Sequence, residues 1–379
     1  MKPSSAWAAL LLLVVVCAGD IALAAEPLPA EKLITLPRIP STGSLLYSTD
    51  GQRVLLTDPG TLKWQATLGF PGWRGQYVLP KAKDLAYLTT SVWEYGHGKR
   101  TSFVEFWSVP TASPTGIRIE VPPRLAITGP IQAMAGLSAD DKFLFLQNAT
   151  PATSVTVVDL VAKRFAGEIP IPGCFGIYPS VTTPNKFTSL CGDGRIVTAV
   201  VDASGKSAKI ERSGPIFNAD EDPLFLSSVH DGDTFFFVSY KGSVYEVDTS
   251  GPSAHLAQKY SIVDGTEGGC KPTGEQVLAY APEGKVMFVL MIPDAHEGDQ
   301  DSFGKEVWAV DVKERRVLSR STMASANGIA YAPLPTPALF ANDNDAKALV
   351  RYAVDPKAGY SVRMDSRLVV SVGSRLEVR

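Results

Sequence analysis

Seven times along this chain a short apolar run ends in aspartate, or once in serine, and breaks into a turn. The instances are "RVLLTDPG" at Asp58, "FVEFWSVP" at Ser108, "SVTVVDLV" at Asp159, "IVTAVVDASG" at Asp202, "SVYEVDTSG" at Asp248, "EVWAVDVK" at Asp311 and "LVRYAVDPK" at Asp355. The intervals between them are 50, 51, 43, 46, 63 and 44 residues. Several are preceded by a second strand with its own turn, as in "SADDKFLFLQN", "HDGDTFFFVSY" and "APEGKVMFVLM". A period of this length made of strands reads as one sheet per repeat. A lone four-stranded sheet cannot bury both faces, whereas seven packed radially bury them all and leave only short edges. The predicted fold is therefore all-β, a seven-bladed β-propeller. Inner strands covered on both faces need no polar alternation, and these runs show little. The aspartate is there to accept backbone N–H bonds in the turn that follows. The 63-residue interval reads as one blade with inserted loops near 252–275 and 292–304. For the ring to close, residues near Leu33–Leu36 are predicted to pair with strands from the C-terminus.

The first residues read differently. Lys2 precedes the apolar run Ala6–Ala18, and Ala22-Leu23-Ala24 offers small residues for cleavage. That is the pattern of a secretory signal peptide. The run is too short to span a bilayer comfortably. We expect residues 1–25 to be the signal, residues 26–379 to form one propeller domain, and no membrane association after cleavage. The formal net charge is −3 and no Lys/Arg run occurs, which argues against nucleic acid as a partner.

Familiar catalytic patterns are missing. The sequence has no Cys-x-x-Cys, His-Glu-x-x-His, P-loop or Gly-x-Ser-x-Gly. Its four histidines, His97, His230, His255 and His296, are assigned to four separate blades as solvated loop residues, and no metal site is predicted. The acidic runs 218–223 and 342–345 do not fit a calcium loop and read as Asp/Asn turns. Trp107 and Trp308 fall at similar phases of the repeat, which suits core packing. Trp93 does not: it lies in "SVWEYGHGKRTS" with Tyr95 beside it, either as a contact surface or folded back over its own blade.

Cys174 and Cys191 flank predicted neighbouring strands in "GCFGIYPSVTTPNKFTSLCGDGR". In an oxidising compartment such a pair is expected to form a bridge, stabilising by roughly 3 kcal/mol in the chain-entropy account. Cys270 is left over as a free thiol.

The phrases "VEFWSVPT", "DDKFLFLQNATPATSVTVVDL", "GCFGIYPS", "FTSLCGDGRIVTAVV" and "KEVWAVD" resemble the large subunit of the quinoprotein amine dehydrogenases. That family includes methylamine dehydrogenase and aromatic amine dehydrogenase, and the wording stands closer to the aromatic enzyme. The resemblance runs from about Leu79 to Asp355. It implies a seven-bladed periplasmic propeller without catalytic residues or bound cofactor of its own. It implies two large and two small subunits. The small subunit is expected to carry tryptophan tryptophylquinone and to oxidise a primary amine to an aldehyde and ammonia. A blue copper protein is expected to take the electrons. The family's large-subunit bridge falls on Cys174 and Cys191. The family aromatic beside the substrate channel falls on Val92 or Trp93, in the hairpin that ends in "HGKR" (97–100), with Tyr95 adjacent.

Three departures stand out. Ala281 replaces a family histidine, "KPTG" (271–274) replaces a Pro-Gly-Gly, and Cys270 stands where a tryptophan is expected. All three are assigned to the side turned toward the small subunit. The competing readings are a stand-alone periplasmic propeller that binds a ligand or protein without redox chemistry, and a lactonase-like enzyme using the propeller centre. The second of these wants several inward acidic or histidine ligands.

Overall fold

The computed structural model describes residues 38–39 and 43–379. Neither residues 1–25, the expected signal segment, nor Leu33–Leu36 lies within them. The described residues form seven antiparallel sheets, six of four strands and one of five. Each is one blade of a β-propeller. Blade 1 combines Arg375–Val378 with Leu46–Thr49, Arg53–Thr57 and Trp64–Gly69, so the last strand closes the ring onto the first. The closing register is Leu46↔Val378 to Thr49↔Arg375.

Blades 2 to 7 run in chain order, each from its innermost strand outward. Their innermost strands are Trp73–Val78, Ala135–Leu137, Cys174–Pro179, Leu224–Asp231, Leu278–Ala281 and Ile329–Ala332. Blade 6 carries Lys271–Pro272 as a fifth short strand. The long interval does hold one blade. Its extra length lies in 262–277 and 293–303, whereas His255–Ser261 is the outer strand of blade 5.

The seven repeat phrases are the third strands of the seven blades, and the aspartates act as anticipated. Asp58 Oδ1 accepts from Gly60 N at 3.0 Å and Thr61 N at 2.8 Å. Asp159 accepts from Ala162 N, Asp202 from Ser204 N, Asp248 from Ser250 N, Asp311 from Glu314 N and Asp355 from Lys357 N. The side chain replaces a backbone partner, which ends the strand and sets the return.

The core is a ring of apolar layers between neighbouring blades. Leu68, Tyr77 and Leu88 pack blade 1 on blade 2. Val104, Phe106, Leu144 and Leu146 pack blade 2 on blade 3. Phe145, Val157, Phe187 and Val197 join blades 3 and 4. Second and third strands are buried on both sides, hence their nearly unbroken apolar sequences. Full burial of such a side chain stabilises by ~1.5–3 kcal/mol.

The strand order gives the ring two ends. The front end carries the hairpins between second and third strands and the blade-to-blade crossovers. The back end carries the hairpins between first and second strands.

Candidate functional site

The hairpin singled out in the sequence projects from the front of blade 2, between Leu85–Trp93 and Arg100–Ser108. Its tip is a short 3-10 turn, Glu94–Gly96, closed by Glu94 N donating to Lys99 O at 3.1 Å. Tyr95 sits in the left-handed region, φ 51°, and is 93% exposed. Trp93 and Val92 are half-buried. Trp93 pairs with Arg100, whereas Val92 pairs with Thr101. Successive strand residues point to opposite faces, so Trp93 turns toward blade 3 and Val92 toward blade 1. The one-residue ambiguity between them is a choice between two sides of a blade.

Trp93 is held by what surrounds Arg100. The Arg100 guanidinium lies 5.4 Å from the Trp93 ring centroid. Its Nε and Nη2 donate to Ser91 Oγ at 3.1 and 2.9 Å, and Nη2 also donates to Leu125 O at 2.5 Å. Ser91 Oγ is 2.7 Å from Ser102 Oγ. Burial lowers the Arg100 pKa without removing its charge. This cation fixes the hairpin base to the crossover leading into blade 3 and leaves the indole partly bare. At Gly72 a Cβ would stand 2.3 Å from Ser91 O, so only glycine lets the chain entering blade 2 pass against the hairpin.

Cys174 and Cys191 face each other in register on adjacent strands of blade 4 and are bridged. The bridge is buried at the front end, with Arg212 Nη1 3.8 Å from each sulfur.

Several assignments change. His230 and His255 belong to one blade, blade 5. His230 is not in a turn. It is the penultimate residue of the innermost strand and lines the axial cavity, where desolvation pushes its pKa below the ordinary value. His97 and His296 are loop residues as assigned. Among the described residues no group of three His, Cys, Asp or Glu side chains converges as a metal site. The departures from the family pattern do not share one side. Cys270 and 271–274 belong to the front crossover of blade 6, while Ala281 ends its innermost strand at the back, fully buried.

Sequence reasoning missed the glutamates beside the core tryptophans. Trp107 Nε1 donates to Glu105 Oε2 at 2.9 Å, and Trp308 Nε1 donates to Glu306 Oε2 at 2.8 Å. The signal was present as Glu-x-Trp in "VEFW" and "KEVW", two residues apart and so on one strand face. Trp64 lies in blade 1, Trp93 and Trp107 in blade 2, and Trp308 in blade 6. Trp93 and Trp107 share a blade but stand at opposite ends of it, opposite Arg100 and Ala86.

A family profile described as "Methylamine dehydrogenase heavy chain (MADH)" matches residues 77–371. The chain belongs to the methylamine dehydrogenase heavy chain family. It is 25% identical over 383 residues to the methylamine dehydrogenase heavy chain of Methylophilus methylotrophus, covering 95% of this chain and 93% of that one. It is 27% identical over 284 residues to that of Methylorubrum extorquens, covering 72% and 66%. Among solved structures, a Pseudomonas aeruginosa periplasmic gluconolactonase superposes with a TM-score of 0.61 at 13% identity, over 89% of this chain and 98% of that one. That likeness shows the fold alone. By family, the chain is a large-subunit chain of the amine dehydrogenase type, an oxidoreductase subunit.

Proposed function

We propose that this chain is the large, non-cofactor-bearing subunit of a periplasmic amine dehydrogenase, joined two-and-two with a small quinone-bearing subunit. The observation that carries the reading is the family match over 77–371. When bound, the tryptophan tryptophylquinone of the small subunit supplies the oxidation of a primary amine to aldehyde and ammonia, and a blue copper protein accepts the electrons.

The role of this chain is to dock and to shape. The hairpin at 91–100 is the docking element and the wall of the amine entrance. Its exposed Tyr95 and partly bare Trp93 offer aromatic area of the kind enriched at interfaces. Arg100 holds Trp93 in place, so the wall is preorganised. An aromatic wall excludes water, which strengthens electrostatic interactions within the site behind it.

The test is purification of the tagged chain from the periplasm of its own cells. The expected result is a co-purifying small subunit and dye-linked amine oxidation by the complex, but not by the chain alone. A chain recovered alone, with no amine oxidation in the fraction, would overturn the reading in favour of a stand-alone propeller.

A further inference from the structure

At the back of the ring, away from the 91–100 hairpin, the innermost strands of blades 1 to 5 enclose an axial cavity of about 310 Å³. That volume is at the lower end of small-molecule sites, ~300–1,000 Å³. Successive strand residues point to opposite faces, so each wall turns one alternate set toward the cavity. Blade 1 presents Arg375, Glu377 and Arg379, while Leu376 and Val378 pack toward blade 7. Blade 5 presents Leu226, Ser228 and His230. Ala135 of blade 3 and Ile177 of blade 4 add apolar surface.

The charges in this cavity have partners within its walls. Arg379 Nε donates to Glu377 Oε1 at 2.8 Å. Arg375 is buried against the Tyr77 ring, donates from Nη1 to Gln76 Oε1 at 3.1 Å and holds Nη2 4.0 Å from Glu377 Oε2. At the rim, Lys81 N donates to Asp141 Oδ2 at 2.8 Å, and Lys81 Nζ donates to Ala139 O. His230 adds no charge at neutral pH, because desolvation holds its pKa below the ordinary value. The walls leave hydrogen-bonding capacity open instead, donors beside acceptors. Glu377 Oε2 accepts no hydrogen bond, since 4.0 Å is too long for one. Unlike the sealed Arg375 Nε, it keeps accessible surface, and so does Ser228 Oγ. Arg379 is half exposed, and its Nη1 and Nη2 donate to nothing among the described residues. Ser228 and the exposed Gln132 make no side-chain hydrogen bond there either.

We propose that the axial cavity binds a small neutral polyhydroxylated compound, whose hydroxyls bridge Glu377 Oε2 and the Arg379 guanidinium on one wall and reach Ser228 on the other. A hydroxyl both donates and accepts, so it satisfies a carboxylate oxygen and a guanidinium N–H on the same strand face. A carboxylate ligand only accepts and would meet the charge of Glu377. An ammonium ligand only donates and would meet Arg375 and Arg379. Ser228 and Gln132 offer both roles to further hydroxyls, and Ala135, Ile177 and Leu226 face the carbon skeleton. The site is separate from the docking hairpin: Trp73 pairs with Ser91 at the front of blade 2, and Val78, which lines the cavity, pairs with Tyr87 at the back.

The test is calorimetric titration of the protein as purified, with any co-purifying subunit. The probes are glucose, myo-inositol and xylitol as neutral polyols, with gluconate and glucosamine as charged relatives of the glucose skeleton. The expected result is binding of at least one polyol at one per chain, with gluconate and glucosamine each at least tenfold weaker than the tightest polyol. Glu377→Gln should weaken that polyol at least tenfold and narrow its lead over gluconate, because the repelling charge is gone. Should that variant fail to fold, Ser228→Trp, which fills the cavity from a half-buried position, should abolish the heat. No heat from any polyol, gluconate or glucosamine binding as tightly as the best polyol, or unchanged binding in a folded Glu377→Gln or Ser228→Trp protein would each overturn the proposal. The readout is binding rather than amine turnover, so it stands or falls apart from the amine dehydrogenase reading.

Discussion

In blade 2, Glu105 accepts from the Trp107 indole on one oxygen and from Arg118 at 2.7 Å on the other, while the Arg118 guanidinium lies over Phe103 at 4.3 Å. In blade 6, Glu306 accepts from the Trp308 indole and from Arg320 at 3.0 Å on the same oxygen, and Arg320 lies over Trp308 itself at 4.4 Å. The arginine comes from the fourth strand in both cases. In blade 2 it stands opposite the glutamate, Glu105↔Arg118. In blade 6 it stands opposite the tryptophan, Trp308↔Arg320. That two-residue difference of register decides which ring the cation covers. It also carries Arg320 Nη2 to 3.2 Å from Cys270 Sγ, a contact with no counterpart in the blade 2 clamp among the described residues. One sequence pattern thus closes a blade in one place and ties a blade to an inserted loop in the other.

The largest test removes the rings. Trp308 is fully buried and Trp107 is 9% exposed. Trp308→Ala should cost ~3–5 kcal/mol of stability by denaturant titration, and Trp107→Ala should cost less. Equal losses would show that the cover supplied by Arg320 adds nothing. Next is the blade 4 bridge, which neither clamp replaces. Cys174→Ala with Cys191→Ala should cost roughly 3 kcal/mol in the chain-entropy account, read as a lower denaturation midpoint.

The glutamates separate the two clamps. Glu105→Ala and Glu306→Ala each leave an indole N–H unpaired, at about 1–3 kcal/mol. Burial raises the Cys270 pKa, Arg320 lowers it and Glu306 raises it. Glu306→Ala should therefore speed alkylation of Cys270 near pH 8, where Glu105→Ala leaves the rate unchanged. Equal alkylation rates in both variants would break the proposed link between the blade 6 clamp and its loop.

The front hairpins sharpen the comparison on the side of function. In the assembled enzyme, Trp93→Ala should alter the ratio of kcat/KM for an alkyl and an aromatic amine by the equivalent of about 1–3 kcal/mol. If both substrates lose equally while the melting temperature collapses, Trp93 is packing and not a wall. Tyr95→Ser, at an exposed tip, should leave stability within about 0.5 kcal/mol. The same change should weaken small-subunit capture.

Local chemistry is what the sequence settles in this protein. An apolar run followed by aspartate forms a strand and then a turn wherever it occurs, because the carboxylate reaches N–H groups two or three residues on. Seven such phrases carried the blade count, and the flanking turns carried the pairing of Cys174 with Cys191. Relations across strands and around the ring were settled elsewhere. Strand period places Glu105 beside Trp107, but only the pairing of third and fourth strands decides whether an arginine faces the carboxylate or the indole. Val92 and Trp93 are adjacent in the chain, yet the blade sends them to opposite sides. Arg375 and Gln76 lie 299 residues apart and meet only because the last strand closes the ring. Hydrogen bonds within a turn depend on covalent neighbours and are written in order. Contacts at the axis depend on how seven separately formed sheets pack, and no short stretch of residues encodes them.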